Sequence, residues 1–327
     1  MFKSFGEVLN ILGGNQLKKY IFSRVVQGIL TVFFIATATF FAMHLVPGDP
    51  LMDAKAMTPE IRANLEAKYG LDQPVLVQYS TFMKNMLLGD FGISFTQKNR
   101  SVNDIISEHF PVSAVLGVLA ILYAALGGIL WGALTAKYRN KWPDHVIMVL
   151  VILGISVPNF VVAAVSQWAT VNLNELAGTS ILPVAGWGEF SNMILPAMAL
   201  GLSTMAYLTR LMRNSMLDVG NSDYIRTAKA KGLKASRIFV QHELRNSVLP
   251  LITILGPAIA AITTGGFVVE KIFAIPGLGR YFVQAVQQLD YTVIMGLTVF
   301  YGAFLVFMVI AVDVIYGLID PRIRLAK

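Results

Sequence analysis

The side chains best placed to do chemistry lie in Arg213–Asn246, which reads Asp223-Tyr-Ile-Arg-Thr-Ala-Lys-Ala-Lys-Gly232-Leu, then Lys234 to Asn246, then Ser247-Val-Leu-Pro250. Arg226, Lys229, Lys231, Lys234 and Arg237 make one surface, and Ile225, Ala228 and Leu233 make another. Asp223 is expected to cap a helix running through Ala230. Gly232 lets the chain turn where φ is positive, and a second helix follows through Ile238, Phe239 and Leu244. Contact with anionic lipid, or a topology signal, would need charge alone. Neither accounts for a helix-glycine-helix shape carrying the small residues Thr227, Ala228 and Ala230. A docking element for a protein partner accounts for both. Nucleic acid is a poor candidate because the stretch has no aromatic stacking set.

Other chemistry is hard to find. His44, His109, His145 and His242 are scattered without metal-ligand spacing, and no Gly-x-Ser-x-Gly element occurs. The chain has no cysteine, so thiolate metal sites, cysteine nucleophiles and disulfides are excluded. There is no Gly-x-x-x-x-Gly-Lys-Ser/Thr phosphate loop and no Gly-Lys pair, so any ATP drive must come from a partner. No catalytic residue, metal ligand or cofactor is assigned to this chain.

The elements that position the loop are apolar. Of 327 residues 55% are hydrophobic and only 14% charged, and mean hydropathy is +0.63. Stretches of about 20 apolar residues mark membrane-spanning helices. The fold class is therefore an all-α membrane protein, with six transmembrane helices expected at Ile21–Val46, Ala114–Ala136, Val146–Thr170, Met193–Leu211, Val248–Val269 and Val293–Ile319. The apolar core of the first is too long for a signal peptide, so it is expected to stay as an anchor. Lys and Arg number 18 on the side of the termini and 8 on the other, which places both termini and the Arg213–Asn246 loop in the cytoplasm. Only the last span holds an acid, Asp313, for which pairing with Arg322 or Arg324 is expected.

Outside the spans, Phe2, Phe5, Val8, Leu9 and Leu12 suit a short surface helix ended by Gly13-Gly14-Asn15. The expected organisation is thus a surface (elbow) helix over 1–20, a first span over 21–46, an extracytoplasmic subdomain over 47–113, a five-helix core over 114–319 and a cytoplasmic tail over 320–327. The subdomain opens with the turn Pro47-Gly48-Asp49-Pro50 and holds a helix with Thr58 as N-cap, Pro59 in the first turn, Ile61 and Leu65 on one face and Gly70 as terminator. Within the spans, Pro158 and Pro257 are expected to kink their helices. Gly128-x-x-x-Gly132 permits close helix contact. Thr263-Thr264-Gly265-Gly266 could line a passage, offering small polar groups without charge.

At these residues the chain resembles a family. Ala228 followed by Gly232, in a loop before the next-to-last span, resembles the EAA loop of ABC-importer permeases, with Arg226-Thr227 in place of the general Glu-Ala. The fuller run, with Pro47-Gly48-Asp49-Pro50, Tyr69-Gly70-Leu71-Asp72-Gln73-Pro74, Gly89-Asp90-Phe91-Gly92, Leu195-Pro196, His242-Glu-Leu-Arg245-Asn246, Glu270, Ile275-Pro-Gly-Leu-Gly279, Asp313-Val-Ile-Tyr316 and Asp320-Pro-Arg322, is similar to the dipeptide and oligopeptide branch. Pro59-Glu60, Ala63-Asn-Leu-Glu-Ala-Lys-Tyr69 and Ser101-Val-Asn-Asp104 look most like its B-type oligopeptide subunit.

The resemblance implies a type I ABC-importer permease of the bacterial plasma (inner) membrane. It also implies pairing with a second homologous permease, two cytoplasmic ABC ATPases that use ATP and Mg, and an extracytoplasmic peptide-binding protein. Tyr224, Arg226, Thr227, Ala228, Lys231, Gly232 and Leu233 would couple to the ATPases, with small Ala228 letting the first helix approach the ATPase surface, and Thr263, Thr264, Gly265 and Gly266 would line the path. The Thr58–Tyr69 helix and the Glu270–Tyr291 segment, with its stiff turn Ile275–Gly279, would face the binding protein. Dipeptide, nickel or glutathione import fits the same architecture, whereas an ion-coupled carrier lacks buried mid-membrane charge.

Overall fold

A computed structural model describes residues 14–46, 63–64, 66–67, 70–97 and 100–319. Helix α1 spans Gly14–Leu45, α2 Val75–Leu87, α3 Val102–Lys137, α4 Trp142–Ser156, α5 Asn159–Ala177 and α6 Phe190–Gly220. Then come α7 Asp223–Ala230, a short helical segment over 235–247, α8 Leu249–Gly265, α9 Phe267–Ile272, α10 Leu278–Gln288 and α11 Tyr291–Ile319. Five stretches among the described residues are long and apolar enough to cross a bilayer, and a bent α4–α5 pair makes six. The all-α membrane architecture expected from composition is what the structure shows.

Several boundaries differ from the sequence reading. Gly14 and Asn15 belong to α1 instead of ending a preceding helix. Residues 1–13, the Pro47–Pro50 turn, Thr58, Pro59, Ile61 and Leu65 lie outside the described residues, as do Arg322 and Arg324. Gly70 does close a turn, with φ +68 and Leu71 N–H donating to the Glu66 carbonyl at 2.9 Å. Helix α3 begins at Val102 and runs on through Pro111. Its start is set by Ser101, whose hydroxyl accepts the Asp104 N–H at 3.0 Å. Proline removes only one rung of the ladder, too little to stop a helix already nucleated. At 36 residues α3 is about 54 Å long, well beyond the roughly 30 Å hydrocarbon layer.

Pro158 does more than kink. Val157 is extended at φ −86, ψ 124, as the residue before proline prefers, and α4 and α5 meet at 109°. Pro257, by contrast, is absorbed inside α8. Polar side chains support the break: Asn159 donates through Nδ2 to the Leu200 carbonyl at 3.3 Å and accepts from Ser203 Oγ at 2.5 Å.

Contacts divide the chain into two units, Met1–Glu108 with Tyr281–Lys327, and His109–Arg280. In the first, α1 packs along α11, with Gly28 close to Val306 and Gly302 close to Ile35. Arg24 Nε stands 3.2 Å from Asp313 Oδ2, so the described partner of Asp313 is Arg24. Buried Asp290 precedes α11 and accepts from Ser94 Oγ at 2.5 Å, Thr96 Oγ1 at 2.9 Å and Val293 N–H at 3.3 Å. In the second unit α4 and α5 both pack on α6, over a core that includes Leu116, Ala120, Leu200, Ile262 and Phe273. Gly128 and Gly132 face Leu208 and Met212, so this pair lets α3 approach α6 within the chain.

Candidate functional site

The loop after α6 is a folded object. Ser222, at φ −71 and ψ 153, occupies the N-cap position of α7, and Asp223 is the first helical residue instead of the cap. Ser222 Oγ turns back to donate to the Val219 carbonyl at 2.6 Å. At the other end, Leu233 N–H donates to Ala228 at 3.3 Å and Gly232 N–H to Lys229 at 3.0 Å, with Gly232 at φ +74. These two bonds and one left-handed residue are a Schellman motif, and Leu233 supplies its usual apolar contact by packing back on the cluster that Ile225, Ala228 and Ile238 form. Gly232 is required for backbone shape and not for space, since a Cβ there would meet nothing within 4 Å.

The loop has its own small core of Ile225, Ala228 and Ile238, with Val219 and Leu233 packed against it. The structure therefore turns Ala228 inward, at 7% exposure, into the loop's own core. Its smallness lets α7 close on the following segment, a change from the expected direct contact. Tyr224, Arg226, Thr227, Lys231 and Gly232 are exposed, and Leu233 is half-buried. Arg226 and Asp223, 74% and 98% exposed, approach only to 3.5 Å, an ion pair worth little in water. Tyr224 is tied to the second arm, where Asn246 Nδ2 donates to its hydroxyl at 3.4 Å and to the His242 carbonyl at 2.7 Å. That arm winds as a π-helix over Ile238–Leu244 before it runs on toward α8.

The Thr263–Gly266 stretch ends α8. Thr263 is buried against Gly117 of α3, and its hydroxyl donates to the Ile259 carbonyl at 2.8 Å. Thr264 donates to the Ala260 carbonyl at 2.8 Å and is half-buried, and Gly266 is buried beside Leu200. Nothing is described of the surroundings of Gly265.

The structure also brings together residues that sequence reading left apart. Glu270, 2% exposed, accepts from Ser113 Oγ at 2.6 Å and Gly279 N–H at 3.0 Å, while Leu278 N–H donates to Ser113 Oγ at 2.9 Å. Gly277 lies hard against the Glu270 carboxylate, where no side chain would fit. Ile275 and Leu278 are fully buried, so Ile275–Gly279 is a knot around the carboxylate instead of a turn held out for presentation. Asp144 and Arg213 form a second such pair, 2.8 Å apart. The pairs are separated by 69 to 157 residues, beyond any local pattern. The signal available was the rarity of acids beside apolar runs, each of which needs a partner. His44 and His109 are likewise bonded, to the Phe40 and Pro276 carbonyls, both at 2.9 Å.

Membrane-length helices carrying a folded basic loop define a polytopic membrane component. The chain belongs to the family described as binding-protein-dependent transport system inner membrane component, which it matches over residues 128–325, with the family's N-terminal region matched over 17–117. It is 45% identical over 313 residues to the dipeptide transport system permease protein DppB of Bacillus subtilis, covering 95% of this chain and 99% of the relative. It is 42% identical to the oligopeptide transport system permease protein OppB of Haemophilus influenzae, and 40% identical to that of Escherichia coli K12, covering 94% of this chain and 99% of each relative. The resemblance to the dipeptide and oligopeptide permease branch and the type I importer fold are thereby shown.

Proposed function

We propose that this chain is the permease subunit of an ATP-driven, binding-protein-dependent oligopeptide importer of the bacterial plasma membrane, and that Asp223–Leu233 docks it to cytoplasmic ATPases. One observation carries the docking assignment. The loop spends a Schellman motif and a three-residue core on holding α7 rigid while Tyr224, Arg226, Thr227 and Lys231 stay exposed. A lipid contact or topology signal has no use for that order. Both termini are cytoplasmic in this reading, as the Lys and Arg distribution favours. A second homologous permease completes the path, an extracytoplasmic binding protein delivers peptide, and ATP and Mg are used by the partner ATPases.

In the Thr263–Gly266 stretch, the half-buried Thr264 and the glycine backbone are assigned to the path wall. Thr263 contributes by seating α8 on α3. A dipeptide substrate is the second reading, favoured by the 45% identity to a dipeptide permease. The test is uptake by cells whose own peptide permeases are deleted, with this subunit and its genetic neighbours restored. Uptake of a labelled pentapeptide, unaffected by excess dipeptide, is expected. Dipeptide uptake alone would move the assignment to the second reading, and uptake of neither would refute peptide import.

A further inference from the structure

Asp144, at the start of α4, is 2% exposed and is held by the Arg213 fork, with Nε donating to Oδ1 and Nη2 to Oδ2, each at 2.8 Å. A third bond comes from Asn140 N–H to Oδ2 at 2.9 Å, with Asn140 in the left-handed region at φ +60. A planar guanidinium bonded at two points fixes both side chains in position and angle, which a single contact does not. Breaking such a pair leaves a buried charge, so the chain keeps it closed. Nothing in the docking surface or the path uses it.

Its value lies in which helices it joins. Arg213 rides on α6, which runs unbroken to Gly220, and only Asn221 and Ser222 separate that end from α7. Asp144 rides on α4, whose far end is the 109° break at Val157–Pro158. One bidentate pair therefore bolts the helix that enters the loop to the helix that leads to the break.

We propose that Asp144 and Arg213 are positioning residues forming a latch that carries displacement of the Asp223–Leu233 loop into α4. The inference rests on the docking reading of that loop. It is tested on the assembled complex with its ATPases in lipid nanodiscs. The chain has no cysteine, so single spin labels can be placed at Lys234, exposed on the loop just past the docking segment, and at Ile152 on the exposed side of α4. Label mobility is compared between the nucleotide-free and ATP–vanadate-trapped states. Both labels are expected to respond in the unaltered chain. In Arg213→Ala and Asp144→Asn the loop response should persist while the α4 response falls about fivefold or more, the low end of ordinary coupling factors. Arg213→Lys, which keeps the charge but loses the fork, should fall between. An undiminished α4 response in the two charge-removing variants overturns the latch and leaves the docking reading standing. A loop label silent in the unaltered complex overturns both. If Arg213→Ala cannot be recovered from the membrane, Arg213→Lys decides, and an unchanged α4 response there refutes the proposal.

Discussion

Gly232 and Ala228 do different jobs, and substitutions can separate them. At Gly232 the only demand is a positive φ, so Gly232→Asn should cost a few tenths of a kcal/mol and leave ATPase retention near normal, whereas Gly232→Val should cost about 1–2 kcal/mol and loosen it. Co-purification of the ATPases with each variant checks this, and equal retention in both would show that the left-handed turn is dispensable. Ala228→Trp has no room inside the loop core and should unfold the loop locally, read as rapid hydrogen exchange over α7. Glu270→Ala would strand the Ser113 hydroxyl and the Gly279 N–H, at about 1–3 kcal/mol for buried groups without partners. A fall in melting temperature in detergent, smaller in Glu270→Gln, is the expected result. Residue types and spacing foretold the loop's turn at Gly232 and its apolar side. They could not say which way Ala228 faces, because one helical face of eight residues can meet either its own chain or a partner.

Helices were the most legible level of the molecule. Among the described residues, apolar length alone located five membrane-length helices, while the stretch expected as one span over Val146–Thr170 is the bent α4–α5 pair. Ends were less legible: α3 extends outward through Pro111 because Ser101 nucleates it early, and Asn15 sits inside α1. Gly128-x-x-x-Gly132 permits close contact by its spacing, but its partner, α6 with Leu208 and Met212, is not encoded in that spacing. Replacing Gly132 by Leu must push α6 away or strain both backbones. A destabilisation of about 1–3 kcal/mol, the usual cost of overpacking, is expected. Thermal unfolding in detergent measures it, and an unchanged midpoint would show that α3 and α6 separate freely.

For the whole molecule, the distribution of basic residues predicts an orientation with both termini inside, and absence of cysteine makes it simple to check. Cysteines placed singly at the exposed Lys84 and Lys234 should differ in labelling of intact cells by an impermeant thiol reagent, Lys84 reacting and Lys234 not. Labelling of Lys234 and not Lys84 would invert the orientation, and labelling of Lys234 in any case would remove the loop from reach of cytoplasmic ATPases. Long-range pairings such as Asp290 with Ser94 and Glu270 with Ser113 were not legible at this scale, because each needs the tertiary approach that the sequence encodes only collectively.

The break at Pro158 also bears on how the chain is made. Helix α4 is almost wholly apolar beyond its first turn, whereas α5 carries Ser166, Gln167, Thr170, Asn172, Asn174 and Glu175. As the ribosome delivers the two in turn, α4 can partition into lipid unaided, but α5 arrives with amide side chains that hydrocarbon disfavours. Gln167 finds its acceptors on the Val184 and Ile272 carbonyls, the latter synthesised more than a hundred residues later. The second half of this span is therefore expected to insert stably only once α9 has emerged to supply the Ile272 carbonyl, and nascent chains truncated before α9 should leave α5 more accessible than α4.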